Sequence, residues 1–273
     1  MSIPEIRRSE ISRIVIEKQR ATIASLAHFL DVSEETVRRD LNILHARGHV
    51  VKVHGGAVAP DTPGLGTFER RSFQQADEKK RIALAARELF KPGDSLMIDA
   101  GSTTDIFAEV MATIPPLTVI TNSLQIARTF WQVGRGNSVV LVGGELRLDT
   151  AETLGEMALQ QLGQFNVDHA VLTVGGISDT GQIMRYRIDE VMIARTMIEK
   201  AKKVTILADH TKILTPALMT ICEMDQVAHL VTDQEPPANL AGVLEDAGTQ
   251  LIIAEQENVQ PKIGSQNSTF KSN

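Results

Sequence analysis

Seven short runs are nearly continuous in apolar, largely β-branched residues: SLMID at 95–99, LTVIT at 117–121, SVVLV at 138–142, HAVLTV at 169–174, KVTILA at 203–208, HLVTD at 229–233 and QLIIA at 250–254. Stretches of helical spacing lie between them. A strand that is apolar toward both sides has to be covered on both faces, and strands separated by helices are joined by crossovers that make neighbours parallel. The pattern predicts a doubly wound α/β domain over 77–255.

Such sheets bind ligands at the carboxyl ends of their strands. The residues there are DAGSTTD after the first run, NSL after the second, GGELR after the third, GGIS after the fourth and DHTK after the fifth. Small glycine and hydroxyl residues that open a helix, as AGSTT does ahead of a helix expected from Thr104, offer backbone N–H groups and a dipole to an anion. Any one of these loops reads equally well as a turn and a cap, but five on one edge point to an anion. The chain has no G-x-G-x-x-G and no G-x-x-x-x-G-K-[ST], which disfavours a dinucleotide or nucleoside triphosphate and leaves a smaller anion such as a sugar phosphate.

The stretch 1–58 reads differently. Within 6–18, Ile11, Ile14 and Val15 have helical spacing. Thr22 is placed to cap a second helix, IASLAHFL, whose Ile23, Leu26, Ala27 and Leu30 share a face. Ser33 is placed to cap a third, with Glu34 and Glu35 in the first turn, where negative charge suits the helix dipole. Val37, Leu41 and Leu44 form its buried stripe, so Thr36, Arg38, Arg39, Asn42 and His45 point elsewhere. Gly48 ends that helix, and HVVKVHGGAV reads as a β-hairpin around a Gly-Gly turn.

Three helices and a hairpin make a winged helix-turn-helix, whose second turn helix lies in the major groove of double-stranded DNA. Arg38 and Arg39 stand where a guanidinium can fork onto guanine or grip phosphate, while Lys52 and His54 on the wing can contact the backbone. Ser33, Glu35, Thr36 and Asn42 complete the expected DNA face. Two arginines on an amphipathic helix can equally be a solvated surface; the capped turn and the wing are what favour DNA. Charge agrees weakly, because residues 1–60 hold nine Lys or Arg against seven Asp or Glu in a chain whose net charge is −6. Proline and glycine in APDTPGLGT mark 59–76 as a linker, and the sparsely apolar 256–273 reads as a disordered tail.

LAHFLDVSEETVRRDLNILHARGHVVKVHGGAV resembles the N-terminal signature of the DeoR family of bacterial transcriptional regulators, including its S-x-x-T-[VI]-R-R-D-L recognition helix. Lys52 stands where the family frequently has arginine, which keeps the charge. Over about 78–254, DAGSTT, TNSLQIA, LVGGELR, GGIS, Glu190 ahead of ARTMIEKA, and LADHTK resemble the family's sensor domain, a fold similar to ribose-5-phosphate isomerase. That resemblance implies a repressor of a carbohydrate-catabolism operon, working as a homo-oligomer and controlled by a sugar-phosphate effector. It puts Ser102, Thr103, Thr104, Asn122, Ser123, Gly143, Gly144 and Lys212 near the effector, and Asp99, Gly101, Arg147, Gly175, Gly176, Glu190 and Asp209 complete the candidate set. Ala194 replaces a lysine of many members, KIL at 212–214 departs from the usual pattern, and Arg185 and Arg187 add charge nearby.

A rival reading is an isomerase-like enzyme with a DNA-binding head, using Asp99, Glu190, Asp209 and Lys212 for proton transfer. The expectation against it is that Asp99 and Asp209 cap the following helices and Lys212 holds an anion. A single cysteine, Cys222, cannot form an internal disulfide, and no Cys/His cluster has zinc spacing, so neither metal nor cofactor is expected. The start lacks an apolar leader segment and no run of roughly 18 apolar residues follows, so a cytoplasmic protein without membrane contact is expected.

Overall fold

The computed structural model describes residues 20–46, 50–53, 55–58, 68–114 and 116–254, together with Pro4, Arg7, Arg8, Glu10, Ile11, Ile14, Val15 and Lys18. The expectations for Gly48, His54, the stretch 59–67 and the tail 256–273 lie outside the described residues.

Helical backbone around Ile11, Ile14 and Val15 precedes β1 (Arg20–Thr22), α1 (Ile23–Leu30), α2 (Glu34–Ala46), β2 (Val51–Val53) and β3 (Gly56–Val58). Thr22 caps α1 through a reciprocal pair with Ser25, and the Ser33 hydroxyl accepts from the Thr36 N–H at 3.2 Å. Ile11, Val15, Leu26, Val37, Leu41 and Leu44 are buried together, as their spacing predicts. The strands form a three-stranded antiparallel sheet in the order β1-β3-β2. The hairpin is the expected one, whereas β1 is an addition, since three residues are too few to show alternation. β1 can approach because residue 56 is glycine: a Cβ there would lie 2.2 Å from the Ala21 carbonyl oxygen.

From Phe68 onward the expected linker is helical, with α3 (Phe68–Phe73) followed by α4 (Ala76–Arg87). The chain continues through β4 (Ser95–Ile98), α5 (Ser102–Met111), β5 (Thr118–Thr121), α6 (Leu124–Val133) and β6 (Ser138–Leu141). A hairpin of β7 (Glu145–Arg147) and β8 (Glu152–Leu154) leads to α7 (Glu156–Leu162) and β9 (Val167–Thr173). Next come β10 (Gly176–Ile177), β11 (Ile183–Arg185), α8 (Ile188–Glu199), β12 (Ala201–Leu207), β13 (Met219–Cys222), β14 (His229–Thr232), α9 (Ala238–Ala247) and β15 (Gln250–Ile253).

All seven apolar runs are strands of one parallel sheet ordered β15-β14-β12-β9-β4-β5-β6. Alternate side chains enter opposite clusters. Met97, Ile120, Leu172, Ile206 and Leu230 pack with α7, α8 and α9, whereas Leu96, Ile98, Val119, Val171 and Val231 pack with α4, α5 and α6. Phe107 of α5 is fully buried in the second cluster, edge-on to Phe90 with centroids 5.4 Å apart; burying such a ring contributes about 1.5–3 kcal/mol. The start of α5 differs from expectation: the helix begins at Ser102 rather than Thr104, because Gly101 is its N-cap.

Candidate functional site

The sheet sets the site's position. From β4 the strands run outward through β5 and β6, and from β9 they run the other way through β12, β14 and β15, so the strand order reverses between β4 and β9. A crevice at the strand carboxyl ends belongs at such a reversal. There the protein has a cavity of about 320 Å³, lined by 100–103 after β4, 173–175 after β9, and Asp209, Thr211 and Lys212 after β12. Phe68, Arg71, Gln74, Gln75 and Lys79 close it from α3 and α4, and Thr150, Glu152, Arg185, Tyr186 and Glu190 from the opposite side.

Seven of the candidate effector residues line this cavity: Gly101, Ser102, Thr103, Gly175, Glu190, Asp209 and Lys212. Gly101 has to be glycine, because a Cβ would meet Thr173 Cγ2 at 2.2 Å. The other candidates serve the cavity from behind or lie away from it. Thr104 donates to the Gly101 carbonyl at 3.0 Å. Asn122 Oδ1 accepts from the Ala100 N–H at 3.1 Å, which fixes the loop leading into α5. Ser123 caps α6, Gly143 donates to Gln161 at 2.9 Å, and Gly144 and Gly176 pack on the carbonyls of Leu154 and Thr215. Arg147 bonds Glu152 at 3.2 Å and Glu190 at 3.0 Å and also pairs with Asp189, tying the β7/β8 hairpin to the start of α8.

Asp99 corrects an expectation. It does not cap α5; it accepts from the Thr173 N–H at 3.1 Å and pairs with Arg185, whose guanidinium also donates to the Thr173 carbonyl at 2.6 Å. Asp209 does cap, accepting from the Thr211 N–H at 3.0 Å in the short 3-10 turn His210–Lys212.

Four lining residues with ionisable side chains escape the sequence reading: Arg71, Lys79, Glu152 and Tyr186. The Lys79 ammonium donates to Ser102 Oγ at 3.0 Å and to the Arg71 carbonyl. Burial pushes its pKa down to about 8, with Asp209 opposing and Lys212 and Arg71 adding to the fall. Burial likewise lowers Lys212, against Asp209. Glu152 rises to about 6 because it is buried and beside Glu190. The Arg71 Nε is buried without a hydrogen-bond partner, and its guanidinium and the Lys212 ammonium have no ion pair among the described residues. Lysines whose charge is disfavoured by burial gain most from an anion placed beside them.

On α2 the arginines stand outward, Arg38 with 48% and Arg39 with 76% of the side chain exposed. Arg38 pairs with Glu34 at 2.8 Å and Arg39 with Glu35 at 3.3 Å, exposed pairs that hold little energy and release readily to a phosphate or a guanine. Lys52 of the wing donates to Asn42 Oδ1 at 2.7 Å, so two candidate DNA contacts fix each other's position. The next residue of the R-R-D run, Asp40, is buried and holds Arg7 at 2.6 Å and Arg8 at 3.4 Å, which anchors the first helical stretch to α2.

A winged helix-turn-helix followed by an α/β domain with a cationic cavity defines the class of two-domain transcriptional regulators. Residues 7–63 match the DeoR-like helix-turn-helix domain and residues 74–234 match the DeoR C-terminal sensor domain. The chain belongs to the DeoR family. It is 32% identical over 261 residues, 94% of this chain and 100% of the relative, to the HTH-type transcriptional repressor CsqR of Escherichia coli (strain K12). Identity to the glycerol-3-phosphate regulon repressor of the same organism is 31% over 247 residues, 90% of this chain and 98% of that one. Among solved structures, ribose 5-phosphate isomerase A from Methanocaldococcus jannaschii overlays with a TM-score of 0.37 at 17% identity, covering 51% of this chain and 55% of that one. No helix of the described residues is long and apolar enough to cross a membrane.

Proposed function

We propose that the protein represses a carbohydrate-catabolism operon and that a phosphorylated sugar or polyol in the cavity controls its hold on operator DNA. The observation that carries the reading is that Arg71 and Lys212, which have no ion pair among the described residues, line one cavity together with Lys79 and the N-terminus of α5. Helix N-termini and ammonium groups together favour a phosphate dianion. The relative named for the glycerol-3-phosphate regulon fits a ligand of this class. Binding without turnover is the simpler reading, since Asp99 is engaged by Arg185 and Asp209 by Thr211, which leaves neither as a free base. The protein acts in the cytoplasm as a homo-oligomer of at least two chains, because one winged head offers little specific surface and repeated half-sites supply the rest. A monomer by light scattering, with full operator affinity, would rule that out.

The test is operator affinity by fluorescence anisotropy, on DNA recovered by in vitro selection with the full chain, with and without sugar phosphates and their unphosphorylated sugars. Only the phosphorylated compounds should change it. Lys212→Ala deletes a charge-assisted contact worth about 1.5–3 kcal/mol, so the response should shift roughly ten- to a hundredfold to higher ligand. An equal response to free and phosphorylated sugar, or turnover of a pentose or hexose phosphate, overturns the reading.

A further inference from the structure

We infer that Arg71, in the segment between the two family-matched regions, is both a ligand contact and the residue through which ligand occupancy reaches the DNA-binding head. This rests on the sugar-phosphate reading above and adds its route. The helix-turn-helix match ends at residue 63 and the sensor match begins at 74, so α3 belongs to neither. Yet α3 supplies Phe68 and Arg71 to the cavity wall. The Arg71 guanidinium lies 5.5 Å from the centre of the Phe68 ring, which orients it, and its Nε is buried without a partner.

The backbone of the same residue is held too. Lys79 reaches the Arg71 carbonyl with one N–H and Ser102 Oγ with another, at 3.0 Å in the latter case. One ammonium therefore joins α3 to the first residue of α5, the helix whose N-terminus faces the cavity. A phosphate in the cavity recruits Lys79 and Ser102 on one side and the fork of Arg71 on the other, and arginine takes a phosphate through two parallel bonds. α3 is then clamped to α5 by the ligand itself. From α3 the chain runs back through 59–67 to the wing strand β3, so the clamp sets where the head is tethered. A ligand shifts an equilibrium only by its differential contacts with the two states, and here the Arg71 contact is that difference. Couplings of this kind are typically about 5- to 150-fold.

Hydrogen exchange of the full chain tests this, with glycerol 3-phosphate, glucose 6-phosphate and inorganic phosphate as probes, followed in peptides covering 68–75 and 102–110. In the wild type an effective probe should protect both. In Arg71→Ala the same probe, at higher concentration, should protect 102–110 but not 68–75, and operator affinity should no longer respond at saturation. Arg71→Lys, which keeps the charge and loses the fork, should respond only in part. Lys212→Ala should recover both protections and the full response once saturated, as a plain affinity defect does. Protection of 68–75 in Arg71→Ala, or a full operator response at saturation, overturns the role of Arg71 alone. A wild type in which no probe protects 102–110 overturns the sugar-phosphate reading and this inference with it.

Discussion

Arg38 and Arg39 stand on one exposed face of one helix, each paired with a glutamate of the same helix, whereas the cations of the cavity come from α3, α4, β11 and the turn after β12. The first site is built by the period of an α-helix and is complete once α2 forms. The second exists only when the sheet has brought residues from Phe68 to Lys212 to one end. The two also differ in solvation. The exposed arginines lie in water, while the buried lysines carry a desolvation penalty that Asp209 opposes and that an anion beside them would relieve further.

The largest effect expected from this contrast is on DNA. Replacing Arg38 and Arg39 together by alanine should abolish specific operator binding, each lost bidentate base contact being worth about 1–3 kcal/mol. Stability should barely change, since both side chains are exposed and their ion pairs are surface pairs. Ligand binding by calorimetry should also stay at the wild-type value. Undiminished operator affinity in the double variant sinks the assignment of α2 as the reading helix, and a large drop in melting temperature would mean that the face is structural.

That difference in construction also decides what the sequence made legible. Val37, Leu41 and Leu44 are neighbours on α2 because they are three and four apart, and they are buried as a stripe. The seven parallel strands are legible for the same local reason, as apolar runs, and with them the loops at their carboxyl ends. Lys79 carries a readable signal: in ADEKKRIALAAR it falls in line with Ile82, Ala83 and Ala86, so a charge sits on the buried stripe of α4. Arg71 carries none. Its surroundings are rich in charge and follow a Pro/Gly-rich stretch, and only the placement of α3 on the cavity gives it a role. Glu152 and Tyr186 sit in or beside short strands whose pairing is set by the rest of the fold. Gly143, Gly144 and Ser123 show the converse: residues typical of a ligand loop that are used for packing and capping.

A smaller effect sharpens the contrast through pH. Burial holds Lys79 at about 8, so at neutral pH it is mostly charged and at pH 9 mostly neutral. A phosphate dianion beside it favours the charged form and raises that pKa, so binding above pH 8 draws a proton from solvent. The net uptake should be small near pH 7, where the phosphate sheds its own remaining proton, and should grow to a large part of a proton by pH 8.5, read by calorimetry in buffers of different ionisation enthalpy. Affinity should accordingly fall by several-fold between pH 8 and 9. It should also fall below pH 6, where the phosphate monoester takes up its own second proton. Lys79→Met should bind more weakly at pH 7 and lose the alkaline limb while keeping the acid one. Operator binding without ligand is the internal comparison, and it should stay level from pH 7 to 9. Proton uptake that is absent at pH 8.5 in the wild type, or unchanged in Lys79→Met, removes Lys79 from the phosphate contacts and leaves Arg71 and Lys212 to hold it.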